Sequence, residues 1–215
     1  MKKVTLLCFL LVFMSCSLSD KDSGIAYYHH EQSDINRILN YSKNHTLAFK
    51  NQNDEILNFP IDKISDEYKT RYATGFGFFS PAASYHYFYD NKDINFYSTD
   101  TDPYQFNLKY NFYRWPDDYE TAKENIYTKQ TSSFYAYLDF SLFNGDSYGR
   151  VKIDYNKPKS TLTIGNKTYT NVFIFKAKKT TNTRNVTTLY YDEFEGVIGF
   201  DDLKNLEWRL ISNYN

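Results

Sequence analysis

The chain predicts an all-β, predominantly antiparallel fold: a meander of about ten strands forming a barrel or sandwich, with one or two short peripheral helices. Three observations predict it. First, apolar residues recur at every second position. Phe106, Leu108, Tyr110 and Phe112 alternate with Asn107, Lys109 and Asn111, while Phe134, Ala136, Leu138, Phe140 and Leu142 alternate with Tyr135, Tyr137, Asp139 and Ser141. Such alternation sets one face on a core and the other toward solvent. Second, short connections rich in Gly, Asn and Asp separate these stretches. Third, neither a βαβ alternation nor a long internal repeat is visible.

Taken in chain order, Ser33 through Leu39 spaces apolar residues three and four apart behind a potential cap at Ser33, the pattern of a short helix. Strands are expected at Thr46–Lys50, Ile56–Ile61, Tyr68–Gly75, Ser84–Asp90 and Ile94–Ser98, then along the two alternating runs above. Further strands are expected at Arg150–Tyr155, Thr161–Ile164, Thr168–Lys176, Thr187–Tyr191, Val197–Phe200 and Trp208–Ile211. Tyr, Phe, Val, Ile and Thr dominate these stretches, as half-buried pleated surfaces prefer. Gly165-Asn166 suits a tight two-residue hairpin, and Asn91-Lys92-Asp93, Asn144-Gly145-Asp146 and Glu195-Gly196 read as further turns. Asp117 through Ile126 forms a candidate surface helix with Tyr119, Ala122 and Ile126 on one side.

The first residues carry an address. Lys2 and Lys3 precede an apolar run from Val4 to Met14, too short for a membrane span and of the length of a secretory h-region. Ser15-Cys16 follows, then the polar stretch from Ser17 to Asp22. A small residue before a cysteine at the end of a short h-region resembles the bacterial lipoprotein signal. The resemblance implies removal of residues 1–15, acyl chains such as palmitate on Cys16, a tether over 16–24 and a single β-rich domain over 25–215. An ordinary secretory signal with an incidental cysteine is the alternative. Cleavage also removes Cys8, the other of the two cysteines, which excludes a disulfide framework and a cysteine nucleophile. Ser17, in place of the Asp that retains lipoproteins at the inner membrane, implies an outer-membrane destination. Asp20 and Asp22 resemble the acidic tag of surface-exposed lipoproteins.

The C-terminal third reads Gly165-Asn166, Tyr169-Thr170-Asn171-Val172-Phe173, Leu189-Tyr190-Tyr191, Gly196-Val197-Ile198-Gly199-Phe200 and Trp208-Arg209-Leu210. It resembles a pattern of cell-envelope lipoproteins of Bacteroidota. That resemblance implies β architecture and an envelope location, and it transfers no catalytic role.

Composition narrows the chemistry. With Lys+Arg 25 against Asp+Glu 26, the net charge of -1 excludes nucleic-acid binding by bulk charge. Asp192, Glu193 and Glu195 cluster at a hairpin end near Asp201-Asp202, but glycosidase chemistry needs two acids converging in a cleft. His29-His30-Glu31 alternates across strand faces, so three convergent metal ligands are not expected there, and His86 reads as a structural histidine. No Gly-x-Ser-x-Gly elbow or phosphate loop appears; Gly75-Phe76-Gly77 runs into Phe78. The reading therefore assigns no catalytic residue, cofactor or metal. What remains is the aromatic excess, with Tyr 22, Phe 18 and Trp 2. Tyr85, Tyr87, Tyr89 and Trp115 are the candidate ligand-facing rings, against the alternative that tyrosines serve as cross-strand pairing residues. The expectation is a lipid-anchored, non-enzymatic module that contacts a protein or glycan. A carrier with a cavity inside its barrel and a secreted polysaccharide hydrolase are the rivals.

Overall fold

The computed structural model describes residues 24–73, 84–98, 107–145 and 150–214, with the side chains of 72–73, 84–85 and 212–214 left aside. Cys16, most of the tether, Gly75 to Phe78, Phe106 and Asp146 lie outside the described residues. The architecture is all-β and antiparallel, with strands arranged as a curled half-barrel sheet and two short helices. Its strands are β1 (Tyr27–Tyr28), β2 (Thr46–Lys50), β3 (Ile56–Ala73), β4 (Ser84–Tyr97), β5 (Asn107–Pro116), β6 (Ser132–Phe140), β7 (Arg150–Ile153), β8 (Ser160–Ile164), β9 (Lys167–Lys176), β10 (Val186–Asp192), β11 (Gly196–Asp202) and β12 (Glu207–Tyr214). The spatial order is β7-β6-β5-β4-β3-β2-β12-β11-β10-β9-β8, and β1 adds in parallel to β4. Two meanders, β2–β7 and β8–β12, are thus joined where β12 pairs with β2.

The long strand β3 changes partner along its length. Its first residues pair with β2 as far as Thr46↔Pro60, and its remainder pairs with β4 from Ile61↔Phe96 onward. Proline has no N–H to give a ladder, so pairing tends to change partner or register at such a residue. The register shifts between Ile61 and Lys63, and the Ile61 N–H donates to the His45 carbonyl at 3.0 Å. The sheet turns its corner there.

Two sequence expectations change in detail. The segment expected as Ile56–Ile61 and the described part of the one expected as Tyr68–Gly75 belong to one strand, Ile56–Ala73, and the segments expected as Ser84–Asp90 and Ile94–Ser98 merge into another, Ser84–Tyr97. The expected turn at Asn91-Lys92-Asp93 lies mid-strand in β4, where Asn91 and Asp93 pair with Glu67 and Ser65 on one side and with Tyr113 and Asn111 on the other. Pairing on both edges overrides the turn preference of these residues. The hairpins at Gly165 and Gly196 are present, with φ of 57° and 78° that suit residues lacking a Cβ. A Cβ on Gly196 would meet the Tyr41 and Tyr110 hydroxyls at 2.5 and 2.7 Å.

The helices are shorter than the pattern suggests. Helix α1 (Gln32–Ile35) begins after Glu31, whose N–H donates to the Asp34 carboxylate at 2.9 Å. Helix α2 (Tyr119–Glu124) is capped by Asp118, which accepts from the Thr121 N–H at 3.1 Å. Ala122 of α2 packs with Ala26, Tyr28 and Tyr87 in a small cluster outside the main core.

The main core fills the space between the two curled halves. Leu108, Tyr110 and Phe112 of β5 and Ala136, Leu138 and Phe140 of β6 face Val172, Leu189, Tyr191, Ile198 and Phe200 from the other half. Near the centre, Phe49, Phe59, Phe140 and Phe200 meet with ring centroids 5.2–6.1 Å apart. Each such ring contributes ~1.5–3 kcal/mol by leaving water. Among the described residues, no helix is long and apolar enough to cross a membrane.

Candidate functional site: a trough on the outer face of β3 to β7

Strand alternation that buries Leu108, Tyr110, Phe112 and Arg114 turns Lys109, Asn111, Tyr113 and Trp115 to the opposite face. The same period brings Tyr89, Asn91 and Asp93 of β4, Tyr137 and Asp139 of β6, Lys69 of β3 and Arg150 of β7 beside them. Together these residues line a trough of about 290 Å³.

Its floor is polar and tightly bonded. Asn111 Nδ2 donates to Asp93 Oδ1 at 2.5 Å and to Asn91 Oδ1 at 2.8 Å. Lys69 Nζ donates to Asp93 Oδ2 at 3.1 Å, and Lys109 Nζ stands 3.6 Å from Oδ1. Burial alone would raise the Asp93 pKa. The hydrogen bonds from Lys69 and Asn111, with the Lys109 charge, outweigh it and hold the carboxyl below its ordinary value of 3.8. One donor stands apart: Asn91 is 2 % exposed, and its Nδ2 has no partner among the described residues. An unpaired buried amide N–H costs free energy that a bound acceptor would return.

Its wall is aromatic. Tyr89 and Trp115 meet edge-to-face at 5.0 Å, and Tyr113 lies 5.8 Å from Trp115. Tyr113 also stacks on Tyr137 at 5.9 Å and on Tyr135 at 5.4 Å. Burial pushes the Tyr89 and Tyr113 hydroxyls above their ordinary pKa, so both remain protonated donors at neutral pH. Arg71 covers the far side of Trp115 at 6.0 Å, and Lys152 lies 4.9 Å over Tyr135.

The sequence-predicted rings separate into three cases. Tyr89 and Trp115 border the trough. Tyr87 does not: it is fully buried beneath Tyr28 and α2, with Trp115 edge-on at 5.4 Å, and is a packing residue. The side chain of Tyr85 lies outside the described residues. Sequence reasoning missed Asn91, Asp93 and Asn111, because Asn-Lys-Asp has the composition of a turn. The signal was present in the period: Tyr87, Tyr89, Asn91, Asp93 and Asn95 form one uninterrupted row.

The remaining candidates take structural roles. Asp192 accepts from the Phe194 and Glu195 N–H groups at 3.0 and 3.2 Å, and Asp202 accepts from Lys204 and Leu206 at 2.8 and 3.0 Å, so both close turns. Glu193 pairs with Lys159 and Arg37, and Asp201 pairs with Arg209 at 2.8 Å. His29 stands 3.6 Å from Asp90, and buried His30 stands 4.0 Å from Asp34. Among the described residues, no three His, Cys, Asp or Glu side chains group closely enough to hold a metal ion. A larger hollow of about 860 Å³ lies between the β8–β9 hairpin and β12, but among the described residues no buried side-chain donor or acceptor of its walls lacks a partner as Asn91 Nδ2 does. Compared with family models, curated proteins and solved structures, the chain matches none.

Proposed function

We propose that this chain is a non-enzymatic binding module of a cell envelope, held at its membrane by acyl chains on Cys16, whose β3–β7 trough binds a glycan. The observation that carries the reading is the pairing of an aromatic wall, Trp115 with Tyr89, Tyr113 and Tyr137, with a hydrogen-bonding floor that leaves Asn91 Nδ2 unmet. A sugar ring offers both complements, an apolar C–H face for a ring and hydroxyls for amides and ammonium groups. The size of the trough fits the same reading. About 290 Å³ accommodates one or two sugar rings, whereas a stable protein interface buries roughly 1,200–2,000 Å². The packed interior between the two half-sheets speaks against the carrier, whose cargo would need that volume. The turn-capping acids speak against the hydrolase.

Tryptophan emission tests the site. The chain has Trp 2, and Trp208 is 7 % exposed in the core, so ligand-dependent emission should arise from Trp115. Titration with an oligosaccharide panel is expected to shift emission in the parent protein and in Trp208→Phe, and not in Trp115→Phe. A shift that survives Trp115→Phe places binding elsewhere. The anchor is tested separately in host cells. An azido-palmitate label is expected on the parent chain and absent from Cys16→Ala, which should leave the membrane fraction; an unlabelled parent removes the anchor from the reading.

A further inference from the structure

We propose that the glycan is acidic, with carboxylate or sulfate groups on its sugar rings; this deepens the glycan-binding reading of the trough and rests on it. The argument is a count of donors and acceptors. The Asp93 carboxylate is the floor's strongest acceptor, and it is already committed, Oδ1 to Asn111 with Lys109 nearby and Oδ2 to Lys69. Asn91 Oδ1 is likewise taken by Asn111. The donors are not exhausted. An ammonium carries three N–H groups, so Lys69 and Lys109 retain donors after Asp93 is served.

Exposure sharpens the asymmetry. The Asp93 side chain is 12 % exposed, against 36 % for Lys69 and 41 % for Lys109. A ligand entering the trough therefore meets two ammonium groups before it meets the carboxylate between them. Asp139 and Arg150 oppose each other at 3.6 Å on the far rim and largely cancel, while Arg71 and Lys152 add positive charge over the Trp115 and Tyr135 rings. A neutral sugar brings an O–H donor with every hydroxyl, beside that hydroxyl's acceptor lone pairs, and those donors meet a floor whose Asp93 and Asn91 oxygens are already hydrogen-bonded. A carboxylate or sulfate brings acceptors only, and charge-assisted hydrogen bonds are the stronger kind. The aromatic wall still requires a ring beside the anion, which is why the inference is an acidic sugar and not a free anion.

Isothermal titration of the full chain is the test, with trigalacturonate, its methyl ester, galactotriose and a chondroitin sulfate hexasaccharide as probes. The acidic probes are expected to bind at least about tenfold more tightly than the ester and galactotriose. Their affinity should fall with added salt. Lys69→Gln and Lys109→Gln should each weaken acid binding about tenfold while leaving the melting temperature within a few degrees. The carboxylate and sulfate arms distinguish the two anions, and tight binding of either supports the inference. Equal binding of all four probes overturns the acidic inference and leaves the glycan reading standing. No binding by any of the four overturns both. Acid binding untouched by the lysine variants and by Trp115→Phe places the anion away from the trough and overturns the inference.

Discussion

Asp93 and Asn91 stand at the centre of the trough, and each is costly for a different reason. Asp93 is a buried charge stabilised by Lys69, Asn111 and Lys109, whereas Asn91 keeps a buried donor unpaired among the described residues. Side chains that serve folding alone are seldom left in that condition, since an unmet buried polar group costs about 1–3 kcal/mol. Asp93→Asn separates the charge from the shape. At neutral pH the variant is expected to be less stable than the parent by about 1–3 kcal/mol, because two charge-assisted contacts weaken. The difference has a defined pH course. With its folded pKa held below 3.8, Asp93 binds its proton less readily folded than unfolded, so its contribution is fully present above about pH 5. It disappears as the pH falls through the folded value. Urea titrations of both proteins between pH 7 and pH 2 are expected to show the gap closing only in the acid range. A gap that stays constant down to pH 2 removes Asp93 from the ion network.

At the level of elements, Arg114 does for α1 what hydrogen-bond ladders do for strands. It projects inward from β5. Its Nη1 donates to Asp34 at 2.6 Å, Nη2 pairs with Glu31 at 2.5 Å, and Nε donates to Ser132 Oγ at 2.9 Å. Helix α1 is too short to persist by itself, so this buried fork fixes its position over β5 and β6. Arg114→Met should cost about 3–5 kcal/mol, because Asp34 then remains buried without its partner. Arg114→Met combined with Asp34→Leu should recover most of that loss. Chemical denaturation of the three proteins measures both numbers, and a double variant no better than the single one would show that α1 is held by packing. Legibility follows the same physics. Alternation made the strands visible because burial on one face repeats at every second residue, and glycine made the bends at 165 and 196 visible because φ is positive there. The corner at Pro60 was not legible: the sequence placed Pro60 inside an expected strand, Ile56–Ile61, since a strand that changes partner keeps its local pattern. Tyr89 and Trp115 could be read as candidates from ring content. Arg114 with Asp34, and the mid-strand Asn91 and Asp93, depend on partners remote in sequence, which no local window contains.

For the whole molecule, the decisive contact is the seam between β2 and β12. Five registered pairs, from Arg209↔Lys50 to Tyr214↔Thr46, tie the end of the chain to its first long meander. Around that seam the core draws on both halves, with Phe59, Ile94 and Phe140 from one and Tyr191, Ile198 and Phe200 from the other in one continuous cluster. Neither half could keep its apolar face dry without the other, so the domain should unfold as one unit despite its two meanders. The two tryptophans allow a direct check. Trp115 reports the outer face of the β3–β7 half, while Trp208 lies in β12, stacked on Phe200 at 5.8 Å. In Trp208→Phe the remaining emission follows Trp115, and in Trp115→Phe it follows Trp208. Within each variant, urea transitions followed by emission and by far-ultraviolet circular dichroism are expected to coincide in midpoint and slope. A Trp115 transition that precedes loss of the sheet signal would mean that the trough-bearing half opens alone. A binding face held rigid by a shared core would then be replaced by one that pays an ordering cost whenever it meets its ligand.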